Sequence, residues 1–529
     1  MTSTSNLLHQ AADMWSALPD ELANIYLFIS ILALSILITY KLIVAKRSNL
    51  RLPPGPKPLP IIGNIHQLVN QQPIELMKKW HHDYGIMVAI RFGQQMAISI
   101  GSFDVAHDLM AKRGAIYNSR PRYIIGFERM SSGLNWALMP YGKEWQNKHR
   151  IMNPMVEPGA LHRYRGVEDL ESKQTLVELL HTNDFDAVMA RYAGSILMTL
   201  GYGMRLEDTS NDAPQTLLQL NAYPFEALSY FYYQVVELLP SLDKLPAFLA
   251  PWKEFSANVE RRTTEFHMRN FDIAKSKSSW NWVQSALQSK TGSGASPKEL
   301  AYLIGVLEQG GVEATFIVLR LLIKVIVLHP HCLEKAQQEL DHVVGPDRLP
   351  SFDDLPQLPY IKAMMHEAMR WQAPVPLGVP HATTQDDEYM GYHIPKGTII
   401  LPNIWVMSSD AEMFPDPHEF KPERWIENPN LKHSPFGFGR RICPGRHLAW
   451  NSMFILMARL MWAYNIIYAR EDGKQVEIDP WDIEFGFTAS SRPFTASFEV
   501  RSQRKQEIIE RDWEDVCKSS AQIMEGLRP

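Results

Sequence analysis

The chain is poor in cysteine: Cys332, Cys443 and Cys517 are the only three in 529 residues. An odd number spread so widely excludes a disulfide framework and fits a catalytic body kept in a reducing compartment, so any cysteine chemistry must come from a single thiol. A dominant charge sign is also missing, since 53 Lys and Arg stand against 58 Asp and Glu without long single-sign blocks. That removes the electrostatic footprint of a polyanion-binding protein, and nucleic acid is not an expected partner. From about residue 86 to residue 500 there is no Gly/Ser linker, repeat or low-complexity tract, which argues for one large domain. No G-x-G-x-x-G follows a strand, so a dinucleotide-binding unit is not part of the chain. With 45% apolar and 21% charged residues, disordered and collagenous classes are excluded as well.

What the chain does have begins with residues 25–45, IYLFISILALSILITYKLIVA, whose only charge is Lys41. Such a run is long enough to cross a ~30 Å hydrocarbon core. It is too long for a secretory leader, has no basic residues ahead of it and no small-x-small cleavage pattern after it, so an uncleaved anchor is expected. Asp13, Asp20 and Glu21 precede it and Lys46, Arg47 and Arg51 follow. The positive-inside rule then places residues 1–24 in the lumen and the body in the cytosol. Residues 46–60 contain Pro53, Pro54, Pro56, Pro58 and Pro60, a stiff hinge between anchor and body. The body is expected over residues 61–505, mostly helical, with a strand pair at 86–91 and 96–100 turning at Gly93. Residues 506–529 read as a charged, solvated helical tail in which Cys517 is a bystander.

The longest helix can be drawn with both ends. Ser296-Pro297-Lys298-Glu299 is a capping box with proline in the first turn and His329-Pro330 closes the run, giving about 33 residues or ~50 Å. Glu313, Arg320 and Lys324 fall on one stripe. Each would cost ~2.5–3.5 kcal/mol at a bilayer centre, so a buried core helix is expected and not a second span.

The decisive stretch is residues 436–445, FGFGRRICPG, followed by an apolar helical run from Arg446. Gly437 and Gly439 allow a tight turn, Pro444 stiffens the chain after the cysteine, and Gly445 removes a side chain where a flat ligand would clash. Cys443 stands just before a helix, whose N–H groups are expected to lower its pKa. No second Cys or His stands at zinc spacing, because His433 is ten residues before and His447 four after. The remaining arrangement is one protein sulfur with four ligands from a macrocycle, haem with an axial thiolate.

This loop resembles, at every fixed position of F-x-x-G-x-R-x-C-x-G, the haem-binding loop of the cytochrome P-450 family. Further resemblance lies in Glu367-Ala368-Met369-Arg370 as E-x-x-R, in Phe420 to Trp425 (FKPERW), and in LPPGP at the hinge, together covering about residues 52–500. The resemblance implies a mainly α fold with small β-sheets, the haem-thiolate fold preceded by one N-terminal transmembrane helix. It implies haem b (iron protoporphyrin IX) with Cys443 as axial ligand and Phe436 and Gly445 at the cofactor. Arg441, His381 and Trp145 match propionate partners, and Glu367, Arg370 and Arg424 match a buried structural network. Position 149 departs from the pattern: His149 stands where relatives have arginine, with Arg150 next, and either could reach a propionate.

In the long helix, Gly310-Gly311-Val312-Glu313-Ala314-Thr315 resembles the family's oxygen-binding stretch. Glu313 takes the acid position in proton delivery, but Ala314 replaces the alcohol. Thr315 lies ~100° further round and substitutes only if the helix is locally distorted. The expected function is a microsomal-type monooxygenase resembling those of fungal secondary metabolism, inserting one atom of O2 into a hydrophobic small molecule such as a terpenoid, polyketide or alkaloid intermediate. NADPH electrons would arrive through a separate NADPH–cytochrome P-450 reductase docked on Lys143, Lys148, Arg150, Arg440 and Arg446. Phe127, Met130, Phe225, Phe231, Val375, Leu377 and Phe487 would face substrate. The implied location is the endoplasmic reticulum membrane, single-pass, with membrane lipid as a partner and the catalytic domain cytosolic. Ala314 keeps open an isomerase, dehydratase or peroxide-driven variant, and a haem sensor is a third reading.

Overall fold

The computed structural model describes residues 51–68, 72–227, 231–516, 518 and 520–527, together with Ser35. The expected membrane run, the lumenal segment and Cys517 otherwise lie outside the described residues. Among the described residues no helix is long and apolar enough to cross a membrane.

The longer helices are α1 (Pro73–Tyr84), α2 (Lys143–Val156), α3 (Pro158–Leu179), α4 (Phe185–Tyr202), α5 (Ala213–Ala227) and α6 (Pro251–Ser276). They continue with α7 (Pro297–Leu328), α8 (Pro330–Val343), α9 (Pro359–Trp371), α10 (Arg446–Ala463) and α11 (Gln503–Glu514). Helix α7 is the axle. The expected capping box closes it, with Glu299 N donating to Ser296 Oγ at 3.3 Å and Ser296 N donating to Glu299 Oε2 at 2.8 Å. Its apolar residues, Leu300 to Val327, belong to the largest core cluster together with α4 and α10. The charged stripe is answered locally: Arg320 makes a bidentate pair with Asp186 at 2.7 and 2.8 Å, and Lys324 Nζ reaches the Asp482 carbonyl at 3.4 Å.

Strands β1 (Met87–Phe92) and β2 (Gln95–Ile100) pair antiparallel, Met87 opposite Ile100 and Phe92 opposite Gln95. With β3 (His381–Ala382) and β4 (Ile399–Pro402) they form one sheet in the order β1-β2-β4-β3, β4 running parallel to β2. A hairpin of β5 (Ile483–Phe485) and β6 (Ala489–Ser491) packs beside α7.

Two parts of the sequence reading change. The proline-rich stretch is docked on β1: Ala89 N donates to Pro54 O at 2.9 Å, and a Cβ at Gly55 would come within 2.0 Å of Ala89 O. The charged tail is not a solvated extension either, because α11 crosses residue 505 and buries Ile508 and Ile509, while Lys505 Nζ donates to Trp462 O at 2.8 Å. Two adjacent isoleucines in a charged context are enough to seat a short helix on the core.

Candidate active site

The loop before α10 is shaped by its glycines. Gly437 and Gly439 have φ of +81° and +58°, a region that favours glycine. A Cβ at Gly439 would lie 2.0 Å from Met110 O. The turn closes with Cys443 N donating to Phe436 O at 2.8 Å and Ser434 Oγ to Gly437 O at 2.7 Å. At Gly445 a Cβ would meet no protein atom within 4 Å. The space there is open, as a cofactor requires.

Cys443 corrects one expectation. Burial pushes its thiol above the ordinary range and outweighs the N–H groups of Gly445 and Arg446, which pull it down. Cys443 is half-buried, and while the sulfur carries no metal desolvation of the thiolate outweighs the helix terminus. A coordinated metal would reverse the balance, since a coordinating thiol is deprotonated outright.

Arg441 leads a cluster of hydrogen-bond donors beside the same loop. Its Nε donates to Asn118 O at 2.9 Å and its Nη2 to Met139 O at 2.6 Å, but Nη1 is buried without a partner. Its guanidinium lies 4.3 Å over the Trp145 ring, and the buried Trp145 Nε1 is likewise unpartnered. His149, one turn along α2, packs its ring 4.9 Å from that indole. On β3, His381 Nδ1 shares a hydrogen bond with Tyr117 O at 2.8 Å. Burial first, then the neighbouring Arg120, push Arg441 down to about 9. Burial and Arg441 hold His149 low, and burial and Arg120 hold His381 well below the usual histidine range. Among the described residues no carboxylate pairs with Arg441. Buried donors of this kind call for an anion, and the two carboxylates of haem fit. Arg150 points elsewhere, being exposed with its Nη1 donating to Asn147 Oδ1 at 3.0 Å; of the two candidates, His149 faces the cluster.

Glu367, Arg370 and Arg424 meet in the interior. Glu367 accepts from Arg370 Nε and Nη2 at 2.8 and 2.7 Å, Arg424 Nε at 3.0 Å, Trp425 Nε1 at 2.9 Å and Lys421 N at 3.0 Å.

Across from the loop, α7 is helical without a break through Gly310 to Thr315. Gly310 and Ala314, one turn apart, are both exposed, and a Cβ at Gly310 would meet nothing within 4 Å. Gly311 is instead a packing notch, its Cβ position 2.5 Å from Leu197 Cδ1. The distortion that would let Thr315 replace an alcohol at 314 is absent. Thr315 is buried and lines, with Gly311 and Leu307, a cavity shared with Gly445, Leu448, Ala449 and Ser452 of the Cys443 side. The carboxylate of Glu313 accepts from Thr488 Oγ1 at 3.0 Å on one oxygen and from Asn221 Nδ2 on the other. Burial raises its pKa and the two hydrogen bonds oppose the rise. Asn221 was not visible as a site residue, its one signal being a polar amide in the middle of an apolar helical stretch.

The cytochrome P-450 family model matches residues 53–496. This chain belongs to the cytochrome P-450 family. It is 40% identical over 467 residues to cytochrome P-450 monooxygenase FrzL of Cladobotryum sp, covering 88% of this chain and 91% of that one. Fumitremorgin C synthase of Neosartorya fischeri is 37% identical over 484 residues, 87% of this chain and 90% of that protein. Cytochrome P-450 monooxygenase okaD of Penicillium ochrochloron is 34% identical over 529 residues, covering 98% and 99%. The protein is thus a cytochrome P-450 oxygenase, with haem iron held by a cysteine thiolate as its cofactor.

Other expected P-450 features separate on inspection. Met130 is a core residue packed with Ile124, Ile125 and Trp252, whereas Phe127, Val375, Leu377 and Phe487 are half-buried. The side chains of Phe225 and Phe231 lie outside the description. Lys148 leaves the basic face: it is buried and paired with Glu299 at 3.5 Å. Lys143, Arg150 and Arg440 stay exposed, and Arg446 Nη1 donates to Cys443 O at 3.1 Å.

Proposed function

We propose that the chain is a membrane-anchored haem-thiolate monooxygenase that inserts one atom of O2 into a hydrophobic small molecule. The single observation that supports this most is the pair of orphaned donors, Trp145 Nε1 and Arg441 Nη1, beside the Cys443 loop. In this reading Cys443 would ligate the haem iron, and Trp145, His149, His381 and Arg441 would hold the propionates. Phe436 braces the loop through its carbonyl, and Gly445 would leave space for the cofactor. When bound, the haem supplies oxygen activation, and thiolate donation favours O–O cleavage. Gly310 and Ala314 would leave room for O2 and substrate beside α7, Glu313 would carry protons through water, and Phe127, Val375, Leu377 and Phe487 would exclude bulk water and orient an apolar substrate. The substrate class is a terpenoid, polyketide or alkaloid intermediate. NADPH electrons arrive from a separate reductase at Lys143, Arg150, Arg440 and Arg446. Residues 25–45 span the endoplasmic reticulum membrane once, among its lipids, with the body in the cytosol.

Ala314, exposed and without a hydroxyl, favours one second reading: an isomerase, dehydratase or peroxide-driven enzyme of the same fold. Co-expression with a reductase, followed by measurement of substrate-dependent NADPH and O2 consumption, tests the assignment. Consumption matched to product supports the monooxygenase, and product formed without O2 selects the alternative. In the first case Ala314→Thr preserves or raises the share of electrons recovered in product.

A further inference from the structure

Helix α7 lacks an alcohol beside Glu313, but the fold brings one from elsewhere. Thr488, in the turn between β5 and β6, donates its hydroxyl to Glu313 Oε1 at 3.0 Å. Asn221, on α5, donates its amide to Oε2. The two partners are 175 and 92 residues from Glu313 in sequence and belong to separate elements. With one donor on each oxygen, the carboxyl plane is fixed although the glutamate stem is flexible. The partners differ chemically. An amide N–H only donates and therefore anchors; a hydroxyl donates and accepts at once, so it can pass a proton between a water and the carboxyl.

We propose that Thr488 supplies the hydroxyl missing at position 314, with Asn221 as the positioning residue that fixes the opposite oxygen of Glu313. The proposal rests on the reading of Glu313 as the proton carrier. In each cycle Glu313 gives a proton to water through the Thr488 hydroxyl and regains one from solvent, and no electron passes through either residue. The geometry explains how a cytochrome P-450 with alanine at 314 and an undistorted α7 still holds its acid in one place. Both partners favour the ionised form of Glu313 against burial, so the same contacts keep the group able to give up its proton.

The test uses the full-length haem-loaded enzyme with its reductase and compares Thr488→Val, Thr488→Ser, Asn221→Leu, Glu313→Gln and the pair Thr488→Val/Ala314→Thr. Product formed per NADPH is expected to fall about tenfold in Thr488→Val, the electrons appearing as hydrogen peroxide. That is less than the ~10²–10⁴ of losing a general acid outright, because the carboxyl remains. Thr488→Ser should stay within about twofold of wild type, as the hydroxyl is kept. The pair should recover most of the loss, because Ala314→Thr restores an alcohol on the helix. A second readout does not depend on turnover. The infrared difference between wild type and Glu313→Gln isolates the Glu313 carboxyl, and that band should move in Thr488→Val and Asn221→Leu and return in Thr488→Ser. If Glu313→Gln loses coupling while Thr488→Val leaves both coupling and the band unchanged, the inference is overturned and the Glu313 reading stands. If Glu313→Gln remains fully coupled, the Glu313 reading falls and takes the inference with it.

Discussion

Two buried arginine clusters in this protein use the same donor chemistry and end differently. Around Glu367 the carboxylate is saturated by five donors, and Arg370 Nη1 spends its protons on the carbonyls of Ser408 and Pro417 at 2.9 Å. Around Arg441 the protein supplies carbonyls on two sides, then leaves Nη1 and the Trp145 indole N–H without an acceptor. The Glu367 cluster is scaffold: it holds its own carboxylate, with Arg424 Nη2 alone of its guanidinium nitrogens left without a partner, and it ties α9 to the segment ahead of the Cys443 loop. An open cluster is a socket, since buried donors without acceptors cost stability until an anion arrives. The contrast lies in the carboxylate, present at Glu367 and absent beside Arg441 among the described residues, since an orphaned guanidinium nitrogen occurs in both clusters.

The contrast can be broken most severely at Glu367. Replacing it with alanine leaves Arg370 and Arg424 buried and unpaired, a loss of about 3–5 kcal/mol, and the denaturant midpoint of the holoprotein should collapse accordingly. A change below about 1 kcal/mol would erase the distinction between the two clusters.

Acid should loosen the closed region next. His366 stacks on Trp425 at 5.0 Å and His433 packs 5.4 Å from the same ring; burial depresses them to about 4 and about 3. Their folded pKa values lie below the unfolded value near 6.5. The unfolded chain therefore binds protons that the native state refuses, so stability is full above pH 6.5 and falls as pH drops below it. Each such histidine contributes a loss of roughly 2 kcal/mol by pH 5. Unfolding midpoints at pH 7 and 5 check this, and His433→Phe should flatten the slope. A midpoint independent of pH over that interval would mean these imidazoles are not buried neutral.

The smallest effect sharpens the open side. Trp145→Phe removes one orphaned donor and keeps the ring under Arg441. Haem release to an excess of scavenging protein should quicken about tenfold, the value of one hydrogen bond to a charged group, while the denaturant midpoint of the haem-free chain stays the same or rises. Unchanged haem release with a lowered midpoint would make Trp145 scaffold.

What could be read from the sequence was what is local. The loop from Phe436 to Gly445, the capping box at Ser296 and the β1–β2 turn each depend on residues within a few positions of one another, and all three have the expected form. Burial is not local, and the errors follow from it. The direction of the Cys443 pKa depends on desolvation, Lys148 is sealed by Glu299 from another helix, and α11 docks through Ile508 and Ile509. The partners of Glu313 were hidden by distance along the chain, because nothing near Asn221 or Thr488 points to an acid on α7. Thr315 differs for a geometric reason: standing in for an alcohol at 314 required a distorted helix, and α7 is regular there, with Thr315 buried one position on and lining the cavity shared with Gly445.

The central claim is that the open cluster and the Cys443 loop form one haem-thiolate site. The most direct measurement is the reduced carbon-monoxide difference spectrum of Cys443→Ala beside that of the wild-type protein. The account predicts the red-shifted thiolate band in the wild type and its complete loss in the variant. A variant that keeps the band would show that another group ligates the iron, and the site would have to be placed elsewhere in the molecule.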